Sequence, residues 1–531
     1  MGTMTTTEIS REDGLPLLWR KAFQRDQTGS SDYADPAPER QAGKMLAAYI
    51  ATGLFFFILP GTFIGVWNLV EISTHHAIAG ASAAWIQAHG HAQLFGWVGS
   101  FILGISFYVL PKFQGHPLKR FGRAWLVWAM WTLGVALRWW AGITDYLWRV
   151  SLATSAVLEL AAFAIFLHVV VLSKSFSTPA KQKRPADLGS WLGIFGFSTL
   201  GTALTLNLFI AFSLALKGAA PLYPQASDRA YLLIAIWGFA LPVAWGYSTR
   251  FVTVFLGLEQ PRHSAAAWLC AGVAAIVLAA LFHRFLVADV LALAITFPAI
   301  SALRVFRPST RKPKTIGVYA SYPVFVRLSF IWLVVGAVLG VLADVVPSAP
   351  GLGGASRHAV TIGFLATFIF AIAPRLLPSF LNGRELQSPR LMAASLWLLT
   401  AGCMLRVSSE AIAYSSGGAA WSLLPVSAYL ELSAVVFFVL NIALTLKQPL
   451  LAWLEPEGVT TALPVYWYLT SFPETRSIMI ASGLKTLKNA REVPRSLTLA
   501  EAIEADDADP DQVLNALKDF FRRRQPRRLG R

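Results

Sequence analysis

Cysteine and acid are both scarce in this 531-residue chain, which has two cysteines and 29 Asp plus Glu against 45 Lys plus Arg. Cys270 and Cys403 each lie inside an apolar run. They offer neither a disulfide framework nor a thiolate metal cage, and redox chemistry through sulfur is excluded. Charge as a whole is thin, 14% of residues against 55% apolar, and the mean hydropathy is +0.54. A soluble fold has no interior large enough to hide that much apolar surface, so the chain reads as a polytopic membrane protein. The first 43 residues lack the short apolar core and cleavage site of a secretory signal, and the amino terminus is expected in the cytoplasm. A net charge of +16 would suggest nucleic acid for a soluble protein. Here the basic residues fall mostly in short loops between apolar runs, where orientation in a bilayer explains them, and nucleic acid is not an expected partner.

A helix needs roughly 20 apolar residues to cross the hydrocarbon layer. Twelve such runs begin near residues 46, 87, 123, 151, 188, 230, 264, 286, 322, 357, 389 and 422. If the first run leaves the cytoplasm, the five inward loops carry 18 Lys or Arg and the six outward loops 7. That bias puts both termini in the cytoplasm of a multi-pass protein, with the lipid bilayer as its first partner. The chain divides into a cytosolic segment 1–43, a membrane domain 44–447 and a carboxyl-terminal domain 448–531. In the last, Pro494–Ala502 and Asp509–Phe521 read as two short capped helices.

Runs 2, 6 and 10 repeat one another residue by residue. Gly96, Trp97, Ser100, Gly104 and Phe113 match Gly238, Phe239, Pro242, Gly246 and Phe255, and these match Gly363, Phe364, Thr367, Ala371 and Phe380. Small residues four apart let neighbouring membrane helices approach closely, so packing alone accounts for the glycines. The outer units match further: Gly134 and Arg138 with Gly402 and Arg406, and Leu158-Glu159-Leu160 with Leu430-Glu431-Leu432. The expected architecture is an all-α membrane protein of twelve helices in three four-helix units, a pseudo-threefold bundle whose middle unit has diverged.

Among nine histidines, His91 and His358 stand five residues before a repeat glycine, with Leu233 at the matching place in run 6. Both fall near the outer end of a helix, where an imidazole is costly without a partner. Two facing imidazoles can clamp one haem iron; hydrogen-bonded burial or another metal are the alternatives. His89 and His91 are about 200° apart on a helix and cannot both face one iron. His89 is left to face the outer water layer, a haem propionate or, together with His75 and His76 of the preceding loop, a copper ion. Arg138 and Arg406 sit at outer helix ends, with Glu159 and Glu431 about 12 Å deep. Arg–Glu pairing, propionate binding by the arginines, or proton handling by the glutamates are the readings open to them. Arg250 and Arg375 read as snorkelling at the inner face. His116, His263 and His283 read as interfacial, and His168 carries no assigned role.

The segments Ala88-His89-Gly90-His91-Ala92-Gln93-Leu94-Phe95-Gly96 running into Val109–Phe113, and Arg357-His358-Ala359-Val360-Thr361-Ile362-Gly363 running into Arg375–Phe380, resemble the NnrS family of twelve-helix membrane proteins. That family is similar to haem-copper oxidase subunit I and is associated with responses to nitric oxide and nitrosative stress. The resemblance implies b-type haem, and copper as a second metal, with His91 and His358 as leading ligands and nitric oxide or another small nitrogen oxide as partner. Run 6 has no histidine, run 7 no His-His pair and run 10 a single histidine, so an oxidase-type binuclear centre cannot be assembled. The stretch Phe472–Leu517 resembles the small helical domain of some iron–sulfur repair proteins without their cysteines. The expected function is a haem-binding membrane protein of the nitrosative-stress response. The alternatives are a divergent reductase or membrane electron carrier, and, less favoured by the threefold pattern, a transporter. Neither catalytic residues nor an electron donor can be read from the sequence.

Overall fold

The computed structural model describes residues 15–27, 36–113, 118, 120–144, 146–172, 187–380, 386–447, 459–472, 474–489, 493, 494 and 496–523. Twelve helices are long and apolar enough to cross a membrane: α1 (Gln41–His75), α2 (Ala83–Pro111), α3 (Phe121–Ile143), α4 (Trp148–Val170), α5 (Leu188–Lys217), α6 (Gln225–Ser248), α7 (His263–Leu281), α8 (Phe285–Leu303), α9 (Tyr322–Val345), α10 (Leu352–Phe380), α11 (Pro389–Ser416) and α12 (Ala419–Lys447). Each arises from one of the apolar runs, because a backbone in hydrocarbon must satisfy its own hydrogen bonds.

Burial sorts the twelve into two classes. In α2, α6 and α10, 78–83% of the apolar window is buried, against 33–50% in the other nine. Three helices therefore form the centre and nine face lipid. Around them α3 packs on α4, α4 on α5, α7 on α8, α8 on α9 and α11 on α12, and α12 returns to α1.

The repeated glycines explain how the central helices are reached. A Cβ on Gly96 would lie 2.8 Å or less from Phe56 of α1; on Gly238, 3.2 Å from Thr199 of α5; on Gly363, 2.6 Å from Trp332 of α9. In each case the glycine admits the helix that precedes it in the chain. The three central helices also share a widened π-helical stretch, at Ala92–Gly99, Ile234–Ala240 and Ala359–Ala366, each beginning four residues before its repeat glycine. A fourth, Phe57–Phe63, surrounds Pro60 of α1, whose missing N–H breaks the regular ladder. Beyond the repeat glycines Val98, Ala240 and Leu365, then Ile102, Ala244 and Ile369, line a common apolar cavity from matching repeat positions.

A second compact unit draws on both ends of the chain, Met1–Gly43 and Pro449–Arg531. Its core joins Trp19 and Ala22 to Val465, Tyr468, Leu487, Leu499, Leu517 and Phe521, and Ser496 Oγ donates to the Ala22 carbonyl at 3.0 Å. The helix Leu17–Gln27 of the amino-terminal segment packs with the carboxyl-terminal helices. Trp19, on the helix Leu17–Gln27, finds its apolar partners only there. The two expected helices are Leu499–Asp506 and Pro510–Arg523. Thr498 and Glu501 close a capping box on the first, and Asp509 Oδ1 accepts from Asp511 N at 2.9 Å at the start of the second.

Trp19→Ala removes a large, fully buried side chain and is expected to cost about 3–5 kcal/mol. Limited proteolysis of the full chain checks it. Faster cleavage in Pro510–Arg523 is the expected result, and unchanged protection there means the two ends fold separately.

Candidate functional site

At one end of the bundle α2, α4, α5 and α6 hold a buried polar network centred on His91. The imidazole is 3% exposed and Glu159 is wholly buried. His91 Nε2 lies 2.8 Å from Glu159 Oε1, and His91 Nδ1 lies 3.3 Å from the Tyr231 hydroxyl. The ring stacks on Phe95, one turn further along α2, with centroids 4.7 Å apart. Glu159 also accepts from Ser155 Oγ and Asn207 Nδ2, both at 3.4 Å. Tyr223, in the loop before α6, donates its hydroxyl to Asn207 Oδ1 at 2.6 Å and exchanges two backbone bonds with the Gln87 side chain. Burial pushes the Tyr223 hydroxyl up to about 12, so it is a neutral donor. Gly134 makes room for the carboxylate, since a Cβ there would lie 2.8 Å from Glu159 Cγ.

Helices α10, α11 and α12 carry the same residue types with different wiring. His358 Nδ1 lies 2.9 Å from the Gly354 carbonyl and 2.8 Å from Glu410 Oε2, while its Nε2 faces Arg406 Nη2 at 3.3 Å. Arg406 pairs with Glu410 one turn on, Nε to Oε2 at 3.5 Å. Glu431 stands beside Gly402 as Glu159 stands beside Gly134, with the same 2.8 Å clearance, yet its buried Oε1 has no hydrogen-bond partner.

His89, two residues before His91 on α2, packs against α1. Its Nδ1 lies 2.8 Å from the Gly61 carbonyl in the widened stretch of α1, and a Cβ on Gly65 would touch its ring at 2.5 Å. His358 and Arg406 are both within electrostatic range of it. The two histidines on α2 thus point to different neighbours, as their angular separation requires. His91 turns toward α4 and α6, and His89 toward α1.

The remaining sequence candidates fall as follows. Arg138 is 2% exposed. Its guanidinium lies 4.4 Å from the centroid of the Tyr223 ring, and its Nε and Nη1 have no acceptor, nor has Arg406 Nη1. Neither arginine forms an ion pair with the glutamate that the repeat offered it; His91 takes Glu159 and Glu410 takes Arg406. His75 Nδ1 hydrogen-bonds within its own helix to Glu71 O at 2.9 Å, and His76 stacks on Trp421 with centroids 5.3 Å apart. Among the described residues no three His, Cys, Asp or Glu side chains converge as metal ligands, and the copper trio of His75, His76 and His89 is not brought together. At the opposite end of the bundle Arg250 pairs with Asp187, the N-cap of α5, at 2.8 Å, and Arg375 lies over Phe255. His263 Nδ1 accepts from Leu188 N at 3.2 Å. His116 lies outside the described residues.

The chain is similar to known proteins in family and in fold. The family model described as NnrS protein matches residues 47–449, most of the chain. The chain belongs to the NnrS family. Among solved structures, a heme-copper terminal oxidase dimer determined by cryo-EM superimposes with a TM-score of 0.60 at 13% sequence identity, covering 77% of this chain and 84% of that one. At that identity the likeness is one of fold. No curated protein matches. The NnrS membrane domain therefore shares its helical scaffold with the oxidase.

Glu410, Tyr231, Tyr223, Asn207 and Gln87 belong to the buried polar layer of this NnrS protein and were not singled out from the sequence. Glu410 had a signal, an acid one turn after Arg406 within an apolar run. The others are polar residues whose partners lie on distant helices. Glu159→Ala leaves His91 Nε2 buried without its partner, an expected loss of about 1–3 kcal/mol. Glu431→Gln, at a carboxylate whose Oε1 already lacks a partner, is expected to leave stability unchanged. Thermal unfolding of both variants in detergent makes the comparison, and equal losses would contradict the wiring described.

Proposed function

We propose that this NnrS-family protein binds b-type haem near the outer face of a bacterial inner membrane, held between an imidazole of α2 and His358 of α10, and serves there in the response to nitric oxide or a related small nitrogen oxide. The observation that carries this reading is the shared posture of His89 and His358. Each has its Nδ1 against a backbone carbonyl, Gly61 at 2.8 Å and Gly354 at 2.9 Å, and the two are within electrostatic range of one another. Fixing Nδ1–H on a carbonyl selects the tautomer whose Nε2 carries the lone pair that iron would take; at His358 that nitrogen faces Arg406 Nη2 at 3.3 Å, a contact that iron would displace. His91, the repeat equivalent of His358, has its Nε2 against the buried Glu159 carboxylate at 2.8 Å and its Nδ1 3.3 Å from the Tyr231 hydroxyl, with neither nitrogen on a backbone carbonyl. The reading therefore assigns the α2 ligand to His89 and makes His91 the hinge of the Glu159 network.

The donor set fits a haem. Arg138 Nε and Nη1 and Arg406 Nη1 are buried N–H groups without acceptors, and an orphaned guanidinium in a membrane interior calls for an anion such as a propionate carboxylate. When bound, haem supplies an iron whose coordination and redox state respond to small nitrogen oxides. The chain's own residues do the rest. The Gly61 and Gly354 carbonyls orient the rings, Glu410 holds His358 Nδ1, and the arginines offer charge. Copper has no comparable donor set, because His75 and His76 are engaged elsewhere. Cytoplasmic termini and a pseudo-threefold relation of the four-helix units belong to the same reading. They are supported by the loop charges, by the shared core of the two chain ends and by the matched glycines and π-helical stretches.

Haem content of purified variants tests the ligand assignment. His89→Ala and His358→Ala are each expected to lose most haem, while His91→Ala keeps it with reduced stability. Full haem in both of the first two variants overturns the site; loss confined to His91→Ala and His358→Ala moves the α2 ligand to His91.

A further inference from the structure

At the end of α3 and α4 opposite the histidine layer, two arginines converge on one imidazole. Arg120 Nη1 lies 3.0 Å from His168 Nε2, and Arg123 Nη1 meets the same nitrogen. A neutral imidazole nitrogen offers one lone pair, whereas each guanidinium carries five N–H donors, so His168 satisfies only a fraction of what is presented to it. The two charges also repel. Among the described residues neither arginine forms an ion pair with an acidic side chain, unlike Arg229, Arg250 and Arg406 elsewhere in the molecule. Like charges gathered at one point without an acid mark a place for an anion.

The surface that continues from the cluster identifies the anion's carrier. Leu126, one turn along α3 from Arg123, is 48% exposed, and Leu133, two turns further on the same stripe, is 52% exposed. Trp125, 37% exposed, stands edge-to-face against Trp128 at 5.6 Å, at the level where interfacial tryptophans sit. A soluble phosphate uses the arginines alone; a lipid uses the arginines for its headgroup and the stripe for its tails. We propose that Arg120, Arg123 and His168 bind the phosphate of an anionic phospholipid of the inner leaflet, whose acyl chains lie along Leu126 and Leu133 of α3. Planar guanidinium groups suit the bidentate recognition of phosphate oxygens, and basic clusters between membrane helices on the cytoplasmic side hold polyanionic headgroups.

Native mass spectrometry of the full-length protein in detergent, titrated with cardiolipin and separately with phosphatidylethanolamine, tests the site. Wild type is expected to retain cardiolipin preferentially. Arg120→Ala combined with Arg123→Ala is expected to weaken cardiolipin binding at least tenfold, with phosphatidylethanolamine binding unchanged. If that variant fails to fold, Arg123→Glu is the substitute and is expected to give the same loss. Equal cardiolipin affinity in wild type and variant overturns the proposal. So does displacement of the lipid by millimolar inorganic phosphate, which assigns the cluster to a soluble anion. Neither reading depends on haem, so failure here leaves the ligand assignment untouched.

Discussion

An ionisable side chain carried into the hydrocarbon layer must meet a partner, and the outer layer of this bundle is organised around that requirement. His91 is met by Glu159, His358 by Glu410, and Arg406 by Glu410. Each contact ties a central helix to an outer one, or an outer helix to itself one turn away. The polar layer therefore fixes how the central helices are rotated. It does so at a depth where water cannot compete, which is where such bonds are strongest and where a missing one is most costly.

Close packing makes those contacts reachable. Gly134 and Gly402 leave room for a glutamate side chain against the neighbouring helix, and Gly65 leaves room for the His89 ring. The widened stretches beginning four residues before each repeat glycine set the rotation of α2, α6 and α10 just inside the histidine layer. The middle unit, with Leu233 in place of a histidine, retains the backbone device and lacks the donor. The repeat therefore preserves a way of packing helices, and the chemistry was added to, or lost from, individual units.

Much of this was legible in the sequence, for physical reasons. Spans are readable because crossing a bilayer demands a long apolar run, and the glycine repeat because close approach tolerates no side chain. The angular separation of His89 from His91 follows from helix geometry, and with it the rule that only one can serve a given iron. Which of the two does so depends on how α2 is rotated, and rotation is set by contacts with Tyr231 of α6, Glu159 of α4 and Gly61 of α1 that no local pattern encodes. The same limit applies to Trp19. The core it completes lies at the other end of the chain. The repeat was misleading in one respect: it pairs Arg406 with Glu431 by analogy, whereas Glu410, outside the matched set, sits one turn away and takes the contact.

Two imidazoles on α2 and α10 sharing one iron is the claim from which the functional reading follows. Electron paramagnetic resonance of the purified ferric protein, with carbon monoxide added to the ferrous form, addresses it most directly. A bis-imidazole low-spin signal and an absorption spectrum unmoved by carbon monoxide are the predicted results. A high-spin ferric signal with ready carbon monoxide binding, or protein without haem, would contradict the account.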